Sequence, residues 1–223
     1  APPTATPTDT PVPPTATPTN TPIPPTATPT PTATPLSGGL VINEVDYDQP
    51  GTDTAEFLEL KNVSANPISL GGWSVVLING GVPTPTPYAT YNLPATTVFA
   101  MPAATIPPGG YYVICANSAT VTPCDLDVTP DTNMIQNGAP DAIALYQGAT
   151  LVDVLSYEGD TPGYTEGSGV GLIDDGVSVG QGISRFPEGV DTNQNNVDFS
   201  PRCITPGAAN SASTCAPTPT PTV

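Results

Sequence analysis

The sequence predicts an all-β globular region, a sandwich or a barrel, that follows an extended N-terminal segment of polyproline-II type. Three observations support this prediction. The first thirty-six residues repeat one Pro/Thr phrase three times. From Ser37 onward, short runs alternate apolar with polar residues, and Gly, Pro, Asn or Asp separate these runs. No stretch of twelve residues shows the 3.6-residue period of an amphipathic helix.

The N-terminal repeats run over Pro2–Val12, Pro13–Ile23 and, in a longer form, Pro24–Leu36. Proline fixes φ near −65° and has no N–H donor, so such a proline-dense segment can form neither a helix nor a central strand. We therefore predict an extended stalk over residues 1–37. At about 3.1 Å per residue it would reach roughly 110 Å.

Seven runs in the middle of the chain have the composition and period of strands. They are Leu40–Tyr47, Glu56–Asn62, Trp73–Ile78, Tyr111–Cys115, Ala142–Tyr146, Leu151–Ser156 and Gly182–Phe186. Residues 38–210 are predicted to fold as one sandwich, which is long enough to enclose a single core. Residues 80–105 and 158–180 are predicted to be long loops. Residues 211–223 are predicted to begin a second Pro/Thr-rich segment.

The charge of the chain excludes several classes of partner. Three basic and twenty acidic residues give a formal net charge of −17. Nucleic acids and anionic membrane surfaces both attract clusters of Lys and Arg, and this chain has none. No apolar run is long enough to cross a bilayer, so we expect neither nucleic-acid binding nor membrane insertion.

The four cysteines form two close pairs along the chain, Cys115 with Cys124 and Cys203 with Cys215. Four cysteines allow three connectivities, and we favour the local one because each pair brackets a short, turn-rich segment. The spacing does not fit a zinc site, and the chain has no histidine. Two disulfides indicate an oxidising, extracellular setting, so we expect a secreted or cell-surface protein.

Catalytic residues are not expected. There is no histidine to act as a general base, and no G-x-S-x-G sequence is present. The glycine-rich run Glu166–Gly171 lacks the strand, helix and lysine of a phosphate-binding loop. Glu56 and Glu59 are three apart on a predicted strand, so they point to opposite faces and do not converge on one cleft. We therefore expect a non-enzymatic chain without a resident cofactor.

One segment resembles a calcium loop in its spacing of oxygen side chains: Asp191, Asn193, Asn195 and Asp198. It lacks the central glycine and the glutamate at the twelfth position of an EF-hand. The alternative is an Asn/Asp-rich turn whose side chains bind their own backbone, and we favour it over calcium. Elsewhere Glu44, Asp46 and Asp48 alternate on one strand, so they should share one face, which is expected to be solvated.

The stalk has the composition of an O-glycosylated, mucin-like segment. Its thirteen threonines are the predicted acceptors: Thr4, Thr6, Thr8, Thr10, Thr15, Thr17, Thr19, Thr21, Thr26, Thr28, Thr30, Thr32 and Thr34. An unmodified flexible linker is the alternative. Asn62 begins the chain's only N-x-S/T sequon and is a weaker candidate for N-glycosylation.

The order of several short motifs resembles the lamin tail domain in its bacterial secreted form. The motifs are LVINEVDYD (Leu40–Asp48), AEFLELKN (Ala55–Asn62), ISLGGWSV (Ile68–Val75), IPPGGYYVIC (Ile106–Cys115), DAIALYQGATLVDVLSY (Asp141–Tyr157), GISRFPEG (Gly182–Gly189) and TPGAAN (Thr205–Asn210). This resemblance implies an immunoglobulin-like β-sandwich that acts as a non-catalytic interaction or structural module. It also implies attachment to secreted or surface proteins.

Three functions remain open at this point. The first is a subunit of a cell-surface or extracellular filament, made by self-association of sandwiches and Pro/Thr segments. The second is a monomeric stalked module that binds a glycan, a surface or another protein. The third is an accessory domain of a larger secreted hydrolase or nuclease.

Overall fold

A computed structural model describes Ala1, residues 39–94 and residues 105–215. The predicted stalk lies outside the described residues except for Ala1, and so do the thirteen threonines predicted as glycosylation acceptors. Residues 216–223 lie outside them as well. The described ranges contain twelve strands and one short helix. They are β1 (Leu40–Asp46), β2 (Phe57–Asn62), β3 (Ile68–Ser69), β4 (Trp73–Asn79), β5 (Thr86–Asn92), β6 (Thr105–Ile106), β7 (Tyr111–Cys115), β8 (Leu126–Asp127), β9 (Asp141–Gln147), β10 (Thr150–Tyr157), β11 (Gln181–Arg185), α1 (Asn195–Asp198) and β12 (Phe199–Cys203).

The strands form two main sheets that pack into an immunoglobulin-like β-sandwich. One sheet has six strands in the order β12-β11-β1-β2-β7-β8, and the other has four in the order β10-β9-β4-β5. Strands β3 and β6 form a separate two-stranded ribbon. Neighbouring strands are antiparallel, except that β8 runs parallel to β7. The predicted fold class is therefore confirmed.

The main core lies between the two sheets, where alternate side chains from both inner faces meet. On β4, Trp73, Val75 and Leu77 are buried in this core, whereas Ser74 and Val76 are half-buried. Strand β1 is buried along its whole length, because the six-stranded sheet is covered on its outer face as well. Burial of apolar surface stabilises a fold by about 25 cal/mol per Å², so this core is the main source of stability.

All seven predicted strands are present, but the prediction for residues 80–105 was wrong in part. Residues 86–92 form β5, which pairs with β4 at the edge of the four-stranded sheet. Pro87 hid this strand from sequence reasoning, since proline argues against a central strand and is tolerated at an edge. Tyr88 and Tyr91 pack against the core and hold the strand in place.

Residues 158–180 form neither helix nor strand, as predicted, but they cover the sandwich closely. Leu172 is buried in the main core, and Tyr164 packs against the apolar outer face of the four-stranded sheet. The Ser156 hydroxyl ties the segment to β10 by donating to the Gly159 carbonyl at 2.7 Å. This segment is therefore a structural cover as well as a connection.

The expectation of a solvated face on β1 was wrong. Glu44 and Asp46 are both buried. Thr205 donates to the Glu44 carboxylate from its backbone N–H at 2.8 Å, and Ser184 donates from its hydroxyl at 2.7 Å. Alternation correctly places these carboxylates on one face, but it cannot show that a later segment covers that face.

Both local disulfides are present, Cys115–Cys124 and Cys203–Cys215. The first joins β7 to the loop before β8, and its Cys115 lies in a small apolar cluster with Phe57 and Val113 on the outer face of the six-stranded sheet. The second joins β12 to the segment that follows it. Disulfides of this kind are typical of proteins that fold in oxidising compartments.

Candidate functional site

A buried cluster of charged side chains is centred on Arg185, which lies at the end of β11 and is itself fully buried. One terminal nitrogen donates to both oxygens of Asp153, at 3.1 and 3.0 Å. The other donates to Asp198 at 3.1 Å and lies 3.4 Å from Asp191. The guanidinium also stacks on the ring of Phe199, 4.4 Å from its centroid. The centre thus gathers residues from β10, β11, β12 and the loop before α1.

Asp153 reaches this interior position because β10 is irregular there. The register between β10 and β9 shifts between Leu151 and Asp153, as a β-bulge does, and a bulge redirects side chains. The Asp153 carboxylate also accepts the backbone N–H of Ile42 at 2.7 Å. Because Ile42 belongs to the other sheet, this one carboxylate links the two layers of the sandwich.

The predicted calcium loop lies beside this centre, and the structure divides its four residues into two pairs. Asp198 is engaged, since it accepts from Arg185 and from the backbone and hydroxyl of Thr192 at 2.8 and 2.7 Å. Asn195 is engaged as well. Its amide donates to the Val154 carbonyl at 2.8 Å and accepts from the Ser156 N–H at 3.0 Å, so it pairs with the free edge of β10.

Asp191 and Asn193 have oxygens to spare. One Asp191 oxygen accepts the backbone N–H of Asn193 at 2.9 Å. The Asn193 side-chain oxygen is buried and has no hydrogen-bond partner among the described residues. The predicted turn with side chains bound to nearby backbone is therefore present at Asp191 and Asp198, and the oxygen of Asn193 is left over.

Sequence reasoning missed Glu166 as a member of this site. It lies in the 158–180 segment and is only 3% exposed, yet neither carboxylate oxygen has a hydrogen-bond partner among the described residues. One oxygen each from Asp153, Glu166 and Asp191 lie within 4.8 Å of one another. The glycines after Glu166 give no sign of a metal ligand, and no local signal indicates that a bulged strand brings Asp153 close to Glu166.

The electrostatics of the centre follow from burial and from the excess of carboxylates over cations. Burial, together with the nearby charges of Asp153 and Asp191, raises the pKa of Glu166 to about 9, although the charge of Arg185 acts in the opposite direction. Burial alone would lower the pKa of Arg185, but the charges of Asp153, Asp191 and Asp198 outweigh this effect and raise it. Four carboxylates face one guanidinium, so the five groups carry three negative charges when all are ionised.

A cleft of about 200 Å³ reaches Glu166 and Asn193, at the margin of this centre, from the surface. Exposed residues at 160, 162, 163, 167 and 194 line it together with the buried Glu166 and Asn193. Gly167 has a left-handed φ of +63°, and a Cβ there would meet Gln194 atoms at 2.6 to 3.0 Å. A glycine is therefore needed where the 158–180 segment crosses the 193–194 turn.

Glu44 on β1 and Glu59 on β2 do not belong to the Arg185 centre. Their carboxylates hold segments distant in sequence against the six-stranded sheet. Glu59 accepts the backbone N–H of Gly207 at 2.7 Å and the Asn43 amide at 2.8 Å. Asn210 donates to the carbonyls of Asn43 and Arg185 at 3.1 and 2.8 Å. The motifs LVINEVDYD, AEFLELKN and TPGAAN thus meet in one buried polar cluster.

Glu56 completes this pattern and bears on the question of catalysis. Its carboxylate accepts the backbone N–H groups of Met134 and Ile135 at 2.5 and 3.0 Å. Glu56 and Glu59 are therefore committed to separate structural hydrogen bonds. Neither has the free, cleft-facing carboxylate that a hydrolytic mechanism requires.

Asn62, the weaker glycosylation candidate, is fully buried. Its amide nitrogen donates to the carbonyls of Asn66 and Ile106 at 2.8 and 2.9 Å, and its oxygen accepts from Ser64. A glycan attached to that nitrogen would replace one of its two N–H donors and would have to fit beside a fully buried side chain. The folded domain therefore argues against Asn62 as an acceptor.

In the part of the chain that the structure describes, no helix has the length and apolar character needed to cross a bilayer.

Two packed antiparallel sheets, with buried carboxylates that secure the connecting segments, define an immunoglobulin-like structural or interaction module. The family model of the Lamin Tail Domain matches residues 33–159, more than half of the chain, and the chain belongs to the lamin tail domain family. This family is not a known catalytic one, and immunoglobulin-like domains of this kind generally mediate contacts between proteins. No match was found among curated proteins.

Proposed function

We propose that the chain is a non-catalytic structural subunit of an extracellular or cell-surface filament. In this proposal the sandwich is a bead on an O-glycosylated Pro/Thr stalk, and copies join when a Pro/Thr segment adds to a sheet edge of the next copy. The observation that carries the proposal is the edge strand β5. Among the described residues it pairs with β4 alone.

The other described edges are less open to an incoming strand. The Asn195 side chain occupies the Val154 and Ser156 positions on the edge of β10. At the edge of β12, the Cys203 N–H donates to the Ser213 carbonyl at 3.0 Å. The remaining edge strand, β8, has only two residues.

Strand β5 is longer than β8 and β12, and Pro87 with the register shift beside it protects only its first part. Its seven residues, TPYATYN, include no charged side chain, and Thr86, Pro87, Thr90 and Asn92 are exposed. Natural edge strands are usually guarded by lysine, by proline, by inward charges, by bulges or by being short. A long, uncharged edge therefore favours strand addition from another chain.

The Pro/Thr repeats suit this edge as an occupant. In an extended stretch of alternating Thr and Pro, the remaining N–H groups lie on one side, so the stretch can pair with one edge and offers no second edge. The repeats are uncharged except for Asp9, so they bring little repulsion to a chain of net charge −17. A stalk from one copy that reaches the next copy is a head-to-tail contact, and repetition of such a contact builds a filament.

Secretion and glycosylation belong to the same proposal. The two disulfides fit an oxidising compartment, and the thirteen stalk threonines are the proposed acceptors. Sugars would stiffen the stalk and shield it from proteases.

The test compares the native secreted chain with an edge-blocked variant by light scattering and negative-stain electron microscopy. We expect native material to have many times the 22.6 kDa of the bare chain and to remain assembled on dilution. Thr90→Lys adds an edge charge at an exposed position of β5 and should shorten or abolish the filaments. Thr150→Lys, at an exposed position of β10, is the matched control and should assemble normally.

A native chain that is monomeric at all concentrations would refute the filament. Equal assembly of both lysine variants would refute β5 as the joining edge.

A monomer would favour the second candidate, a stalked binding module. The supporting observation is a cleft of about 540 Å³ lined by Asn79, Asn133, Gln136, Asn137 and Asp141. One oxygen of the buried Asp141 has no hydrogen-bond partner among the described residues. Amide groups and a carboxylate in one cleft are suited to hydrogen bonding with sugar hydroxyls.

A further inference from the structure

We propose that the cleft between residues 160–167 and the 193–194 turn binds one calcium ion. The ligands are carboxylate oxygens of Glu166, Asp191 and Asp153 and the side-chain oxygen of Asn193. This inference is independent of the filament proposal. The ion site lies near β10, and the proposed joining strand β5 is at the opposite edge of the four-stranded sheet.

The carboxylates have the spacing of ligands that share an ion. Calcium binds oxygen at 2.3 to 2.6 Å, so two ligands on opposite sides of the ion are at most about 5 Å apart. One oxygen each from Asp153, Glu166 and Asp191 fall within 4.8 Å of one another. All three can therefore contact one ion without a rearrangement of the strands.

Acidic groups often cluster without an ion, so the proposal depends on a second observation. Asn193, a neutral side chain outside that cluster, is 7% exposed, and its oxygen has no donor among the described residues. It lines the same cleft as Glu166, whose two oxygens are likewise buried without donors. A buried acceptor without a partner costs about 1–3 kcal/mol, and a bound cation would satisfy both side chains at once.

The charge of the centre agrees with a divalent cation. Arg185 offsets the charge of one of the four surrounding carboxylates. Its ion pairs are with Asp153, Asp191 and Asp198, and the described residues show none with Glu166. Near neutral pH Glu166 holds a proton, which Ca²⁺ would displace on binding. With all five groups ionised the centre has three negative charges, so Ca²⁺ would leave a net charge of −1. Repulsion among the buried carboxylates would fall accordingly.

The donor set selects the kind of metal. All four ligands offer oxygen, the chain has no histidine, and its four cysteines are in disulfides. Oxygen donors favour hard cations over zinc or copper. Calcium takes six to eight ligands in flexible geometry, so waters entering through the cleft would complete the shell. Magnesium requires a near-ideal octahedron, which these irregular loops are not built to supply.

The bound ion would join the 158–180 segment to the loop before α1. These segments already exchange one backbone hydrogen bond, from the Asn195 N–H to the Glu166 carbonyl at 2.8 Å. Calcium would add bonds from the side chains of both. The ion would thus hold a long covering segment against the sandwich wherever calcium is abundant, as it is outside cells.

The test uses the full chain after removal of metals with EDTA. Calcium chloride is added at physiological ionic strength, and binding is followed by isothermal titration calorimetry and by the melting temperature. A concentration of 100 times the dissociation constant should raise the melting temperature by about 5–10 °C. Magnesium chloride at the same concentration should have a much smaller effect.

Two variants and a control distinguish this site from general attraction to an acidic surface. Glu166→Gln should weaken calcium binding at least tenfold, while the calcium-free protein melts at or above the original temperature because a buried acid is removed. Asn193→Gly keeps the turn, whose φ is +56°, and changes no charge, but should also weaken binding. Asp131→Asn removes an exposed carboxylate and should bind calcium normally.

Absence of calcium binding by the original chain overturns the proposal. So does undiminished binding by Glu166→Gln, or an equal loss in Asp131→Asn, which would indicate diffuse surface attraction.

Discussion

At the scale of single residues, buried polar side chains form hydrogen bonds with backbone groups that have no backbone partner. Asn195 has the role of a strand residue for β10, and Asn62 holds the turn before β3 and the Ile106 carbonyl. Each replaces a backbone partner that the chain cannot provide at that point. Loss of such a partner leaves buried groups unsatisfied, which costs about 1–3 kcal/mol per group.

The largest effect of a single substitution is expected at Arg185. Arg185→Met removes the only cation from the centre of Asp153, Asp191 and Asp198 and leaves buried carboxylates without compensation. We expect a loss of about 3–5 kcal/mol in the free energy of unfolding, measured by urea denaturation. Arg202→Met is the matched control, because Arg202 is half-buried and bonds a hydroxyl and carbonyls, and it should cost no more than about 1 kcal/mol. Equal losses in the two variants would contradict this assignment.

At the scale of elements, the six-stranded sheet is stabilised on both faces by segments far away in sequence. Glu44 and Glu59 hold the segment around Thr205 and Gly207, and Glu56 holds the Met134–Ile135 backbone. These carboxylates make β1 and β2 central strands that are buried on both faces. The sandwich therefore depends on its connections as much as on its strand pairs.

The two disulfides should differ in their contribution to stability. They close loops with sequence separations of 9 and 12 residues, which the chain-entropy model values at roughly 3 kcal/mol each. Cys115 is fully buried in an apolar cluster with Phe57 and Val113, whereas Cys203 is half-buried. We expect Cys115→Ala/Cys124→Ala to lower the melting temperature more than Cys203→Ala/Cys215→Ala, because the first pair also leaves a cavity. Calorimetry of the two double variants measures the difference, and the reverse order would refute the argument.

At the scale of the whole molecule, many acids are buried in a chain with a strongly negative charge. Burial raises the pKa of Asp46 to about 9, of Glu59 to about 8 and of Glu56 to about 7. It also raises the pKa of Asp174 to about 7, with the charge of Asp48 adding to it. Between the ordinary pKa values of these acids and their raised values, the folded chain therefore keeps protons that the unfolded chain has released.

This difference determines the pH dependence of stability. Groups whose folded pKa is raised contribute stability that is fully present below their ordinary values of 3.8 and 4.5. That stability is lost as the pH rises through the folded values, here between about 7 and 9. We expect the free energy of unfolding, measured by urea denaturation in EDTA, to fall steadily from pH 5 to pH 9. Asp46→Asn should flatten the fall, since an amide keeps a donor toward Asp174 at every pH, and Asp131→Asn should not. A stability that rises over this range would contradict the prediction.

Sequence periodicity located the elements whose information is local. Alternation predicted the strands β1 and β2, and β-branched or aromatic runs bounded by turn residues predicted the other five. The chain positions of the cysteines indicated their pairing, because neighbours along the chain decide both. The β5 strand was missed because a proline such as Pro87 is compatible both with a loop and with an edge strand, and the local sequence does not distinguish them. Its identity depends on the tyrosines at 88 and 91 finding the core of a folded sandwich.

The sequence by itself determined the all-β class, the family and the Pro/Thr composition of the N-terminal repeats, because each rests on residue type and short spacing. Only the tertiary structure decided which acidic residues are buried. Period-2 alternation assigns a face to Glu44 and Asp46, but whether that face meets water depends on where residues 174 and 205 return in space. The same is true of Glu166, which a β-bulge and two crossing loops bring within 4.8 Å of Asp153 and Asp191. Such long-range contacts depend on the packing of the whole chain, and no local pattern encodes them.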